Sequence, residues 1–148
     1  MRAGDLASPH ESLAAEAAAA EAAAVLGRRD VRAILVLESG GGLAGVLSDS
    51  FLLRRLLPSY VAEDEALAGV LDESFAGELA AWLDGLRVED LLPPDSDETP
   101  EVDQEATLVQ VASVMVRTRS PLVGVLEDGR LVGGIAINDL LAQLMRRP

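Results

Sequence analysis

The sequence predicts an α/β (α+β) protein in which one βαββα unit occurs twice, with a helical connector between the copies. Two observations predict this fold. Two similar stretches each have the pattern of a hairpin followed by a helix, and a further helix pattern precedes each of them. We expect the first unit at residues 1–57, the connector at 58–92 and the second unit at 93–148. At 148 residues the chain is long enough to fold around a hydrophobic core without disulfides or metal.

Each unit is predicted to begin with a short strand and a helix. The strand is expected near Asp5–Ala7 in the first copy and near Pro100–Val102 in the second. The helix is expected to open at Ser12 in the first copy and at Thr107 in the second, because Ser and Thr are favoured at the N-cap. The alanine-rich run over residues 13–26 is interrupted by glutamates and predicts a helix rather than a signal peptide or membrane span.

Each unit is predicted to continue with a hairpin and a second helix. Apolar runs flank a glycine-containing turn over residues 36–47 and again over 125–135, which is the pattern of two antiparallel strands. Because the glycines at 40–42 join two strands and do not open a helix, they predict a turn and not a phosphate-binding loop. Leucines at three- and four-residue spacing then predict helices over Asp49–Leu57 and Asn138–Met145.

The connector between the units has its own helical pattern. Apolar residues recur at helical spacing from Ala66 to Leu86 and include Phe75 and Trp82. This apolar stripe is expected to cover the repeats, and the alternative is that it binds a partner helix. The following stretch, residues 93–100, is rich in proline and polar residues and predicts a mobile loop.

Composition excludes several classes of function. Cysteine and lysine are absent from the sequence, which removes disulfides, thiolate zinc sites, cysteine nucleophiles and lysine-based catalysis. The single histidine, His10, cannot form a metal cluster, and no motif for an activated nucleophile accompanies it, so we expect a protein that is not an enzyme. A formal net charge of −13 disfavours binding to nucleic acid or to an anionic membrane surface. We expect a cytoplasmic protein.

The junction between the second hairpin and its helix has polar residues at a defined spacing. Gly133, Ala136 and Asp139 follow one another at three-residue intervals and lead into the start of a helix. Free backbone amides at such a point can receive a phosphate, and a nearby carboxylate can accept hydrogen bonds from sugar hydroxyls. The alternative is that Asp139 caps its helix, which is the commoner role of an aspartate in this position.

With these features the sequence resembles the cystathionine β-synthase (CBS) domain, which occurs in tandem as a Bateman module. Three passages carry the resemblance, at residues 119–125, 128–133 and 138–141, and the first copy repeats parts of them at 31–36 and 43–48. The resemblance implies two units packed pseudo-symmetrically through their sheets and frequent pairing of such modules into homodimers. It also implies that adenosine ligands such as AMP, ATP or S-adenosylmethionine bind in clefts between the units.

In this family each cleft uses a glycine, a Ser or Thr three residues later, and an Asp after three more. The first copy has Gly45 and Ser48 but places Phe51 where the acid belongs, whereas the second keeps the glycine and Asp139 but places Ala136 where the hydroxyl belongs. A lost carboxylate removes a charge-assisted contact of about 1.5 to 3 kcal/mol. We therefore expect the first cleft to bind no adenosine ligand tightly, and Phe51 to fill it as part of the core.

The resemblance accordingly predicts a nucleotide site in the second cleft. There Asp139 would hold the ribose, Ala136 would lie beside it and Ile135 would pack against the base. The other residues expected to line the clefts are Ser120, Pro121, Leu122, Pro100 and Val102 around the base, and Ser48 in the first cleft.

Two hypotheses of function follow. The first is a non-catalytic, homodimeric regulatory module that senses an adenosine nucleotide in the second cleft and passes a change of shape to a partner protein. The second is a degenerate pair that binds no nucleotide and serves as a dimerisation or interaction scaffold through its connector. The family resemblance favours the first hypothesis, and the split motif favours the second.

Overall fold

The structure is a computed structural model that describes residues 1–93 and 98–146. In these ranges it has two three-stranded sheets surrounded by helices, which confirms the predicted fold class. The predicted loop over 93–100 lies partly outside the described residues. In chain order the elements are α1 (Ala3–Leu6), β1 (Ser12–Ala14), α2 (Ala19–Leu26), β2 (Ala33–Leu37), β3 (Leu43–Ser48), α3 (Asp49–Leu56), α4 (Ser59–Ala62), α5 (Glu65–Val70), α6 (Glu73–Trp82), a 3₁₀ helix (Val88–Leu91), β4 (Glu101–Asp103), α7 (Leu108–Thr118), β5 (Leu122–Glu127), β6 (Arg130–Ala136) and α8 (Ile137–Leu144).

The two sheets have the same topology. In the first, β1 pairs in parallel with β2, and β2 pairs antiparallel with β3. In the second, β4, β5 and β6 pair in the same way. The second hairpin turns through Asp128 and Gly129, whose φ angles of 52° and 80° are both positive, as a tight two-residue turn requires.

Most of the predicted helices are confirmed. α3 and α8 follow their hairpins within one residue of the expected bounds, and α7 begins after Thr107. The Thr107 hydroxyl accepts a hydrogen bond from the backbone N–H of Gln110 at 3.2 Å, and the Gln110 side chain accepts one from the N–H of Thr107 at 2.8 Å. This reciprocal pair satisfies two amides that the first turn of a helix otherwise leaves free. The predicted strand near Pro100–Val102 is confirmed as β4.

At the start of the first unit two predictions are wrong. The expected strand near Asp5–Ala7 lies mostly in helix α1, because the Asp5 carboxylate accepts a hydrogen bond from the Arg2 N–H at 2.8 Å and closes a helical turn. The helix expected to open at Ser12 begins only at Ala19, and Ser12 lies in strand β1. Strand β1 has three residues and is held by parallel pairing with β2, a long-range interaction that overrides the helix propensity of the alanines.

The chain also contains a further pair of similar short segments, which we did not predict from the sequence. Residues 2–6 and 87–91 share an arginine, an aspartate and a leucine at matching positions, and each forms one capped helical turn. Residues 2–6 pack on the second unit, where the N–H of Ala3 donates to the carbonyl of Ala106 at 2.8 Å. Residues 87–91 pack on the first unit, where the N–H of Val88 donates to the carbonyl of Ala17 at 2.8 Å. The segment that leads into each unit therefore packs on the other unit, so that the two units exchange their leading segments. The expected boundaries of the units stay predictions.

Three clusters of buried side chains form the core. One lies within each unit, and Leu91 belongs to the first and Ala3 to the second, as the exchange requires. The third joins the two sheets and consists of Leu35, Leu43, Val46 and Leu122. This cluster confirms that the units pack through their sheets.

The connector is helical, as predicted. It comprises α4, α5, α6 and the 3₁₀ helix. Val61 of α4 is buried, α5 and α6 bury no side chain, and Leu83, Val88 and Leu91 near the end of the connector belong to the first cluster. Phe51 is half-buried and packs against the first cluster, in line with the core role expected of it. In the described part of the chain, no helix has the length and apolarity needed to cross a bilayer.

Candidate functional site: two clefts between the units

Two clefts lie between the units and are related by the repeat. We name them the Asp139 cleft, of about 670 Å³, and the Ser48 cleft, of about 400 Å³. In each, the hairpin–helix junction of one unit faces two segments of the other unit. One segment leads into the first strand of that unit, and the other joins its first helix to its second strand.

In the Asp139 cleft the second unit contributes one ionisable side chain, which stands at the start of α8. Ala136 is the N-cap residue of this helix and offers no side-chain hydrogen bond, and Asp139 lies exposed in the first turn. Among the described residues, none donates a hydrogen bond to the Asp139 carboxylate, so the capping role considered for it is absent there. The carboxylate is free to accept hydrogen bonds from a ligand.

The opposite wall of the Asp139 cleft comes from the first unit. It is lined by Arg29 and Arg32 together with apolar Val31. His10 also lines this wall, and its Nε2 lies 3.3 Å from the Ser8 hydroxyl. The cleft therefore combines an acceptor, two cations and apolar surface.

Glu11 also lines the Asp139 cleft, and its charge is largely compensated. Its carboxylate forms an ion pair of 2.7 Å with Arg28, and both side chains are about half exposed. An exposed pair of this kind adds little stability. Asp30 and Asp139, the other two acids of the cleft, take part in none of the described ion pairs. The two acids and the two lining arginines balance in charge.

In the Ser48 cleft the corresponding groups serve the fold. Ser48 is buried and caps α3, since its hydroxyl accepts a hydrogen bond from the Phe51 N–H at 3.1 Å. The Leu92 side chain lies against Gly45, where an added Cβ would be 3.1 Å from its Cδ2. Phe51 and Leu92 both line the cleft and make it smaller than its counterpart.

The Ser48 cleft also contains three arginines, Arg54, Arg117 and Arg119. Arg117 forms a bidentate pair with Glu98, with Nη2–Oε1 at 2.9 Å and Nε–Oε2 at 3.1 Å. The hydrogen bonds from Arg117 hold the pKa of the Glu98 carboxyl below its ordinary value, and those to Glu98 raise the pKa of Arg117. The Glu98 carboxylate thus already neutralises Arg117, one of the three arginines of this cleft.

The structure divides the predicted site residues between the clefts. Ala136, Asp139, Pro121 and Leu122 line the Asp139 cleft, whereas Pro100 and Ser120 line the Ser48 cleft together with Ser48. The expectation that all of them except Ser48 form one cleft of the second unit is therefore wrong. Each junction faces the other unit, because the units pack with their sheets in contact. Whether any of these residues binds a ligand stays a prediction.

Two predicted residues lie outside both clefts. Ile135 is fully buried in the core of the second unit, and Val102 of strand β4 is buried in the same cluster. Both are apolar residues of strands that pack under a helix, which explains their burial. The sequence did not lead us to predict Arg29, Arg32 or His10, although the repeat signals Arg32, which directly precedes β2 as Pro121 directly precedes β5.

Within residues 1–93 and 98–146, the structure contains no group of three or more His, Asp or Glu side chains that could hold a metal ion. The described residues also include no buried side-chain nitrogen or oxygen without a hydrogen-bond partner. The two clefts are the candidate binding sites because each is lined by residues of both units.

Comparison with protein-family models gives a match to the CBS domain over residues 88–146. Comparison with curated protein sequences gives no match. None of these findings points to an enzyme family.

Comparison with solved structures finds similar folds over the whole chain. A CBS domain-containing protein of unknown function from Kribbella flavida is 34% identical with a TM-score of 0.79, and the alignment covers 99% of each chain. The CBS-pair protein CBSX2 from Arabidopsis thaliana is 21% identical with a TM-score of 0.72 and coverage of 99% and 98%. A structure of CBSX2 in complex with AMP is 22% identical with a TM-score of 0.66, and the coverage is 99% of each chain.

Proposed function

This chain belongs to the CBS-domain family as a tandem pair, and from that premise we propose that it is a non-catalytic regulatory module that binds an adenosine ligand in the Asp139 cleft. The ligands expected are AMP, ATP or S-adenosylmethionine. The observation that carries the proposal is the Asp139 carboxylate, which stands in a cleft between the units and accepts no hydrogen bond from a described residue.

Each part of an adenosine ligand has a counterpart in this cleft. The Asp139 carboxylate suits the two ribose hydroxyls, which are hydrogen-bond donors. Val31, Leu122 and Ile137 offer apolar surface for the base. Arg29 and Arg32 offer charge for a phosphate, which compensates for the hydroxyl that is missing at Ala136.

The Ser48 cleft is a weaker candidate for the same ligand. It has Phe51 in place of a ribose acceptor, and its Ser48 hydroxyl already accepts a helix amide. Binding of AMP by CBSX2 supports the class of ligand, since that protein shares the fold.

The position of the cleft suggests how binding would be transmitted. One wall belongs to the second unit and the other to the first, so a ligand that contacts both stabilises one arrangement of the units. A partner protein that prefers the same arrangement would then bind more tightly. No group in the cleft suggests covalent chemistry, which agrees with a binding role.

The proposal is tested by titrating the purified protein with AMP, ATP and S-adenosylmethionine in isothermal calorimetry and thermal unfolding. At least one should bind and raise the melting temperature. Asp139→Asn keeps the shape and removes the charge, and we expect it to weaken binding by about tenfold or more. Asp128→Asn is the matched control, because Asp128 lies in a hairpin turn with positive φ that Asn tolerates. Absence of binding for all three ligands at millimolar concentration would refute the proposal.

The second candidate function is a homodimeric scaffold that binds no nucleotide. Exposed apolar side chains on the paired helices α7 and α8 favour it, among them Val109, Val116, Leu141 and Leu144. Light scattering of the full chain should then give a dimer mass with or without nucleotide. A monomer at all concentrations would rule this candidate out.

A further inference from the structure

The helices α4, α5 and α6 leave most of their surface exposed, and Val61 of α4 is their one buried residue. We call this surface, residues 59–82, the connector face. No side chain of α5 or α6 is buried, although both helices lie wholly within the described residues. Val70 is 75% exposed, Tyr60 62% and Trp82 42%.

The apolar side chains of α6 follow a single stripe. Phe75, Leu79 and Trp82 are spaced by four and three residues, which places them on one side of the helix. Phe75 and Leu79 are only half-buried. A helix of ten residues gains little stability in water from its backbone alone, so a stripe that remains partly uncovered leaves packing surface available.

The C-terminal end of α6 is anchored by an aromatic contact. The guanidinium carbon of Arg55 in α3 lies 5.8 Å from the centroid of the Trp82 ring. The Arg55 side chain also donates to the carbonyl of Asp90 at 3.0 Å. This geometry shows that the Trp82 ring accepts a cationic group and still leaves part of its surface exposed.

The charge of the connector face has one sign. Residues 59–82 contain no arginine and six acids: Glu63, Asp64, Glu65, Asp72, Glu73 and Glu78. Asp64 and Asp72 cap α5 and α6 through their carboxylates, and they are exposed. A second copy of the same face would be repelled, as would an anionic membrane.

We propose that the connector face binds a basic amphipathic segment of a partner protein. The apolar side of that segment packs on Trp82, Leu79 and Val70, and its arginines or lysines pair with the surrounding carboxylates. Helix-in-groove recognition combines these two kinds of contact. This interaction goes beyond the proposed nucleotide binding and does not depend on it.

The test uses three synthetic peptides of about 18 residues with the full-length protein. One consists of Leu and Lys in the order of an amphipathic helix, the second has the same composition in scrambled order, and the third replaces Lys with Glu. Because Trp82 is the single tryptophan, its fluorescence reports binding at the face directly. The amphipathic Leu–Lys peptide should bind and shift the Trp82 emission to shorter wavelength, whereas the other two should bind at least tenfold more weakly.

Variants then locate the contact by anisotropy of the labelled peptide. Val70→Ser removes an exposed apolar group, and Glu73→Gln with Glu78→Gln removes two charges, so each should weaken binding at least several-fold. Glu16→Gln with Glu21→Gln is the matched control, since it removes the same charge from exposed positions outside the face. Circular dichroism confirms that each variant is folded.

Three results would overturn the proposal. Equal binding of the scrambled peptide would indicate general attraction between opposite charges. Unchanged binding by both connector variants would place the contact elsewhere. Self-association of the protein that Trp82→Ala abolishes would assign the face to a second copy of the chain.

Discussion

Replacing Leu91 with alanine tests the exchange of leading segments between the units. Leu91 precedes the second unit in sequence, yet its side chain is fully buried in the core of the first. Its 3₁₀ helix is held there by backbone hydrogen bonds to Ala15 and Ala17. Leu91→Ala should therefore destabilise the first unit, although the residue lies far from it along the chain.

The expected loss follows from the side chain removed. Three carbons leave a fully buried site, and at about 0.8 kcal/mol for each the transfer contribution is about 2.4 kcal/mol. The cavity that remains adds to this loss, because a close-packed core relaxes only in part, and the total expected is about 3 to 4 kcal/mol. Leu53→Ala makes the same chemical change at a position that is 63% exposed, and it should cost less than about 0.5 kcal/mol.

Urea denaturation measures the free energy of unfolding of both variants, and an unchanged slope against urea shows that the comparison is valid. Hydrogen exchange then locates the effect, which should appear first in the amides of α2 and β2. A loss below about 1 kcal/mol for Leu91→Ala would contradict the packing described here, which predicts a deletion loss of at least about 2 kcal/mol. Faster exchange confined to the second unit would contradict it as well.

Two further predictions concern single positions. Gly133→Ala should destabilise the protein by about 1 to 3 kcal/mol in urea denaturation, because the added Cβ would lie 3.1 Å from the carbonyl oxygen of Ser8, whose backbone pairs with Gly134. The control is Gly69→Ala, which adds a Cβ in open space within α5 and should not destabilise the protein. Equal stability of the two variants would refute the argument. Burial, and then the charge of Glu38, raise the pKa of the Glu101 carboxyl in the folded protein above 4.5. The folded protein therefore favours the protonated carboxyl, and the free energy of unfolding is highest below pH 4.5 and falls as the pH rises through the raised pKa. Glu101→Gln should remove this loss, so the difference in urea midpoint between the variant and the wild type should increase as the pH rises. A difference that does not change with pH would exclude the effect.

The parts of the fold that the sequence predicts are those fixed by neighbouring residues. The Asp128-Gly129 turn and the cap at Thr107 act over a few residues, and both formed as expected. Strand β1 was missed because its three residues are set by pairing with β2, which no local pattern encodes. The exchange of residues 2–6 and 87–91 was missed for the same reason, since each segment finds its partners in the other unit.

The candidate site shows the same limit at a larger scale. The motif names Asp139 and Ala136, and both line the Asp139 cleft because they lie at one hairpin–helix junction. It could not supply the facing wall, which depends on how the two sheets pack. Arg29 and Arg32 belong to the first unit and line the Asp139 cleft only because the sheets pack together, and Ser120 lines the other cleft.

The two clefts differ in whether their polar groups are already engaged. In the Ser48 cleft the serine hydroxyl caps α3, the Ser120 hydroxyl bonds the backbone of Leu122, and the Arg117 guanidinium pairs with Glu98. A ligand there must compete with bonds that the fold has made, and the exchange yields little net free energy. At the start of α8, the Ala136 side chain cannot cap the helix. Without a cap the helix is less stable by about 1 kcal/mol than it would be with a serine in that position. The Ile137 N–H already donates to the Pro121 carbonyl. The Asp139 carboxylate and the amides of Asn138 and Asp139, which no side chain caps, can bond a ligand without breaking any described side-chain contact, and this is the physical reason to expect binding in that cleft first.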